Sequence, residues 1–240
     1  MEFFTPAEIT FFSDIAQKFY LNFVAQARWK YLFDGLLVTL EITALALIVG
    51  VIIGVIVALI RSTHDNTGKF KILNAVCKVY LTIIRGTPTM VQILIIYFVI
   101  FQSVDVPKII VATIAFGLNS GAYVAEIMRS GIMSVDKGQN EAGRAMGFNY
   151  LKTMQYIVLP QAFKNVLPAL GNEFIVLLKE TSISGYIAMS DLTKGANTIA
   201  SQTYNYTLPL LAAALIYLVL VMILSKLVSL LERRLRASDH

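Results

Sequence analysis

Cysteine is almost missing from this 240-residue chain: Cys77 stands alone, which forbids an internal disulfide and leaves no thiolate pair for a metal or redox motif. It reads as a small apolar filler. Histidine is nearly as scarce, and His64 and His240 lie far apart in polar segments that suit solvent better than a shared ligand. No G-x-x-x-x-G-K-[ST] run, nucleophile elbow or zinc-ligand spacing occurs. The chain is therefore expected neither to hydrolyse ATP nor to catalyse a reaction alone, and to hold no cofactor or metal. Charge is thin too, at 15% of residues. The N-terminus carries Glu2 and Glu8 in place of a basic start, which makes it a poor signal peptide that is expected to stay attached.

What remains is apolar. At 57% hydrophobic and a mean hydropathy of +0.69, the composition is that of a membrane protein in contact with lipid rather than of a soluble domain. The net charge of +5 does not point to nucleic acid, because the basic residues cluster beside apolar runs and form no patch interleaved with aromatics. Topology accounts for them better.

The pattern along the chain is helical. Phe11, Phe12, Ile15, Phe19 and Phe23 recur at helical spacing opposite Ser13, Asp14, Lys18 and Asn22, which suits a helix lying in the interface, with Trp29 and Tyr31 marking the headgroup level. A first span is expected over 32–60. Within it Ala46, Gly50, Gly54 and Ala58 repeat every four residues, a row that permits close helix packing. Glu41 lies near its outer end, where snorkelling to the interface explains it. The basic stretch 61–71 reads as a loop. Residues 72–101 are too long for one crossing and are interrupted by Arg85-Gly86-Thr87-Pro88, so they are expected to divide into an interfacial helix and a second span over 88–101.

A third span, 108–128, carries Asn119 and Ser120 near mid-depth, with Tyr123 beyond them; Glu126 is expected to pair with Arg129 one turn away. A fourth, 166–188, is the most polar. Glu173, Glu180 and Ser184 share one helical face there, beside Thr181, while Lys179 lies on a neighbouring face. Two acids at span depth should look onto a cargo, water or a partner group; an interhelical ion pair that fixes register is the other reading. The last span covers 208–227 and ends in a basic tail.

Between the third and fourth spans lies a polar helix-forming interruption, Asp136 to Leu170. Asp136 is a good N-cap, with Gln139 at capping-box spacing and Glu141 still in the first turn. Gly147 suits a left-handed helix end, and Asn149 can cap a second helix running toward Leu159 and Pro160. The small residues Ala142, Gly143, Ala145 and Gly147 would let another protein's backbone approach closely. A ball for a socket and an amphipathic loop resting on headgroups both fit this periodicity.

Glu141-Ala142-Gly143, then Gly147 and Leu159-Pro160, resembles the EAA signature of the membrane subunits of ABC importers, in which this loop is a coupling helix seated in the ATPase subunit. The family usually has Ala where this chain has Gly143, a small-for-small change that is expected to cost some helix propensity but to leave the docking shape intact. The stretch RGTPTMVQ, with Arg85 and Thr87, and the stretch NEFIVLLKETSIS resemble the polar amino-acid branch of that family.

The resemblance spans nearly the whole chain. It implies a permease subunit of the bacterial inner membrane, paired with a second copy or close relative, with two ATPase subunits carrying ATP and Mg, and with an external binding protein. It also implies uptake of a polar amino acid. Glu173 and Glu180, with Asn119, Tyr123 and Thr181 nearby, would complement a cationic side chain.

The expected fold is thus all-α and polytopic, with five transmembrane helices, an N-terminal interfacial helix and a cytoplasmic coupling helix. Residues 1–30 form the external or interfacial segment, 31–235 the permease domain with its coupling loop at about 136–160, and 236–240 a tail. Basic residues concentrate in 61–71, 129–165 and the tail, so the positive-inside rule puts the N-terminus outside and the coupling loop in the cytoplasm. A stand-alone secondary transporter or channel is the rival reading, opposed by the odd number of spans, the lack of a visible inverted repeat and the docking loop. A non-transporting membrane adaptor is a third.

Overall fold

The computed structural model describes residues 14–237, and every regular element among them is helical. Glu2, Glu8, Phe11, Phe12, Ser13 and residues 238–240 lie outside the described residues.

Helix α1, described over residues 14–19, continues through a π-turn (Tyr20–Val24) and a 3-10 turn (Ala25–Ala27). The main elements follow as α2 (Trp29–Thr67), α3 (Lys71–Gly86), α4 (Thr89–Ile95, extended by a π-turn over Ile96–Ile100) and α5 (Lys108–Met133). Then come α6 (Lys137–Ala145), α7 (Tyr150–Thr153), α8 (Leu159–Glu180), α9 (Leu192–Thr203) and α10 (Thr207–Ala237).

Three helices, α2, α5 and α10, are long and apolar enough to cross a membrane, and α3 with α4 makes a fourth as a pair bent by 111°. The bend falls where Arg85-Gly86-Thr87-Pro88 interrupts the run. Pro88 forces Thr87 out of the helical region to φ −124° and ψ 150°, and the Gln92 side chain then staples the corner. Its Nε2 donates to the carbonyls of Ile84 (2.7 Å) and Thr87 (2.9 Å) and to Thr87 Oγ1 (2.7 Å).

The basic stretch 61–71 is mostly helix, because nothing in it breaks α2 before Gly68, which takes φ +67° and closes the end on the His64 carbonyl at 2.8 Å. Two further differences concern α8. The helix capped by Asn149 does not stop at Leu159-Pro160: a π-turn over Met154–Val158 shifts the hydrogen-bond ladder just before Pro160, so its missing N–H breaks nothing and the rod runs on to Glu180. At its far end the chain tightens into a 3-10 turn over Thr181–Ile187. The change from 3.6 to 3.0 residues per turn carries Ser184 away from the face of Glu173.

The row Gly50 and Gly54 packs on α5, whose own Gly117 and Gly121 receive Val49 and Ile53 from α2. A Cβ on Gly54 would lie 2.5 Å from Val124 Cγ1 and 2.9 Å from the Ala125 backbone nitrogen. At the opposite end of α2, α9 crosses equally close, with Gly195 against the Tyr31 carbonyl and Gly35 against the carbonyl of Asp191. The Asp191 carboxylate caps α9 by accepting from the Thr193 N–H at 3.0 Å, and burial pushes its pKa up to about 6.

Because the α5 backbone cannot retreat, Gly54→Ala is expected to cost about 1–3 kcal/mol and to lower the melting temperature in detergent. Ile52→Ala, on the exposed face of the same helix, is expected to change it little. Equal melting of the two variants would contradict the seam.

Candidate functional site

Two features stand out, an elbow at one end of the molecule and a cavity that opens near it.

The elbow is built as its caps dictate. Asp136 Oδ1 accepts from the Gly138 N–H at 2.6 Å to start α6, and Asn149 Oδ1 accepts from the Lys152 N–H at 3.0 Å to start α7. Between them α6 closes in a Schellman arrangement: the Phe148 N–H donates to the Gly143 carbonyl and the Gly147 N–H to that of Arg144, both at 3.0 Å, with Gly147 at φ +83°. The reciprocal half of the capping box is not made. Gln139 instead receives a hydrogen bond from Gln161 Nε2 at 3.2 Å, tying α6 to α8.

Glu141, Ala142, Ala145 and Gly147 face solvent, as do Leu159 and Pro160, whereas Gly143 is buried. Met146, Leu151 and Tyr156 add exposed apolar surface at 71%, 73% and 64%. The elbow therefore keeps a free outer face.

Contacts also fix what shares its end of the molecule. Asn66 Nδ2 donates to Tyr150 Oη at 3.1 Å and Arg129 pairs with Asp65 at 3.4 Å, so the end of α2, the end of α5 and the elbow meet there.

The cavity, of about 840 Å³, lies between α5 and α8 with the ends of α3 and α10 at its rim. Glu173 forms its inner wall. This buried carboxylate accepts from Ser120 Oγ at 2.7 Å and has no ion pair among the described residues. Arg85, at the α3–α4 bend, pairs with Glu126 Oε2 at 3.3 Å and sits 6.0 Å from the centre of the Tyr123 ring. Glu126 thus pairs with Arg85 and not with Arg129, a partner 41 residues away that local spacing does not reveal. Lys164 and Glu232 complete a lining with charges of both signs.

Of the residues picked out as a substrate path, Glu173, Tyr123 and Arg85 line this cavity. Five others do not. Thr181 is buried, with its Oγ1 3.4 Å from that of Thr43 on α2. Ser184 is buried in the 3-10 turn, Glu180 lies two turns beyond Glu173, and Thr87 belongs to the stapled bend. Asn119 Nδ2 donates to Gln92 Oε1 at 2.9 Å and holds α5 against that same bend. Ser120 gains its role from a long-range contact, and only its polarity at mid-depth pointed to it.

This architecture matches a known family. Residues 50–237 match the family described as the binding-protein-dependent transport system inner membrane component. The chain belongs to this family. Its members are transport components, and ATP hydrolysis resides in a separate subunit. The arginine transport system permease protein ArtQ of Bacillus subtilis (strain 168) is 39% identical over 211 residues, covering 87% of this chain and 94% of that one. The glutamine transport system permease protein GlnP of Escherichia coli (strain K12) is 35% identical over 208 residues, covering 85% and 93%. A solved amino acid ABC transporter with histidines superposes with a TM-score of 0.81 at 43% identity, covering 88% of this chain and 98% of that one.

In this permease the two polar contacts of the cavity should differ in weight. The Arg85–Glu126 pair is 44% and 36% exposed, so it should contribute no more than about 1 kcal/mol. Ser120 supports a buried carboxylate, and its loss should cost about 1–3 kcal/mol. Ser120→Ala is therefore expected to melt lower than Glu126→Gln in detergent, and the reverse order would contradict this reading of the cavity's inner wall.

Proposed function

We propose that this chain is the membrane-spanning permease subunit of an ATP-driven importer of polar amino acids, with the elbow at about 136–160 coupling ATPase closure to alternating access. The observation that carries the reading is mechanical. From its Asn149 cap the helical segment is continuous through the π-turn and α8 to Glu180, with Pro168 inside it, over roughly 45 Å. One end bears the exposed elbow, and Glu173 in the cavity lies about three-quarters of the way toward the other. A force on the elbow is thereby delivered to the cavity wall.

In this account the chain crosses the bacterial inner membrane five times, with its N-terminus outside and its C-terminus and elbow in the cytoplasm. The basic ends of α2 and α5 and the elbow share one end of the molecule, which supports that orientation. The partners are ABC ATPase subunits holding ATP and Mg, a second permease chain, identical or closely related, an external amino-acid-binding protein and membrane lipid. Nucleic acid is not among them.

The cargo is a polar amino acid, with a cationic side chain favoured because Glu173 has no ion pair among the described residues. Likeness to an arginine permease and a glutamine permease at 39% and 35% identity does not separate these cargoes. A stand-alone transporter or channel is not favoured, since it gives the exposed elbow no partner.

Reconstitution into vesicles with the ATPase and the binding protein tests the proposal. Uptake should require ATP, Glu141→Lys should reduce it more than tenfold with the chain still folded, and Glu173→Gln should weaken cationic cargo more than neutral cargo. Uptake driven by an ion gradient without ATP would overturn it.

A further inference from the structure

We infer that Gly143 and Thr153 form an internal seat that sets the angle between the coupling helix α6 and the α8 rod, so that Gly143 is a positioning residue and not part of the outward contact. The inference rests on the coupling role proposed above.

Its basis is steric. Gly143 is the buried residue of the nine-residue α6, while Glu141, Ala142, Arg144 and Ala145 around it are exposed. A Cβ at this position would lie 2.6 Å from Thr153 Cγ2, 2.8 Å from Thr153 Oγ1 and 3.0 Å from Ile157 Cδ1. Ile157 ends in a flexible side chain that can yield. Thr153 cannot, because its β-branched side chain is held at the first turn of the rod and is 1% exposed.

A second observation singles out the same pair. Thr153 Oγ1 is buried without a hydrogen-bond partner. A buried hydroxyl without a partner is costly, so what this side chain contributes is shape: it fills the space that glycine leaves. The Gly143 carbonyl meanwhile accepts the Schellman bond from Phe148, and the Gln139–Gln161 bond ties the other end of α6. Seat, corner and tie leave α6 one orientation on the rod. An alanine at 143 must lift α6 off Thr153 and tilt its exposed face relative to α8.

The seat makes Thr153 and Gly143 a matched pair. In the assembled transporter in vesicles, Gly143→Ala is expected to keep ATP hydrolysis but lower cargo moved per ATP severalfold. Gly143→Ala with Thr153→Ala, which removes both clashing atoms, is expected to restore most of that ratio. An angle readout independent of assembly uses spin labels at the exposed positions Lys137 and Lys152 in the detergent-solubilised chain. Their mean separation should shift in Gly143→Ala and return in the double variant.

No shift in separation, or no recovery of the ratio in the double variant, overturns the seat. If Gly143→Ala couples normally while Glu141→Lys does not, the seat fails and the coupling reading stands. If neither variant alters uptake, the coupling reading itself fails.

Discussion

Everything in this fold leans on the approach of two helix backbones, α2 and α5, across glycine and alanine. Inside a bilayer, lipid tails satisfy apolar side chains as well as protein does, so helices gain from touching only where their surfaces fit closely enough for dispersion to add up. Gly50 and Gly54 remove side chains from one helix, and Gly117 and Gly121 remove them from the other, so that Val49, Ile53 and Val124 fill the notches. The seam also sets chemistry, because Ser120 lies against Gly50 within it and reaches Glu173 on α8. Widening the seam would move the donor that supports the cavity's buried acid.

Under the proposed coupling, the elbow and the cavity wall are two points on one lever. The π-turn before Pro160 matters more than its length suggests, since it lets the helix pass that proline and stay continuous between an exposed corner and the cavity wall. On the other side of the cavity the corner at Thr87 and Pro88 is stapled by Gln92 and Asn119, which makes it a fixed abutment. In the proposed mechanism, such a lever and abutment with ionic groups between them form a passage that is reshaped without unfolding.

Much of this could be read from residue order, and the rest could not for definable reasons. The small-residue row of α2, the break at Pro88, the Asp136 and Asn149 caps and the Gly147 corner are local signals, and each appears where its residues place it. Long-range choices were hidden. Spacing within α5 offered Arg129 to Glu126, whereas the fold brings Arg85 closer. Helical periodicity put Ser184 on the face of Glu173, and the tighter 3-10 turn removes it. Gly143 read as part of an outward small-residue surface because a sequence does not tell which side of a short helix its neighbour occupies; Thr153 takes that side.

The central claim is that the elbow and α8 move as one body when the partner ATPase binds nucleotide. Its most direct test is a pair of spin-label distances in the assembled transporter with and without trapped ATP: one from Met146 at the elbow to Asn172 on α8, the other across the cavity from Asn172 to Ile127 on α5. The account predicts that the first stays constant while the second changes. A cavity distance indifferent to nucleotide, or an elbow that shifts against α8, would contradict it.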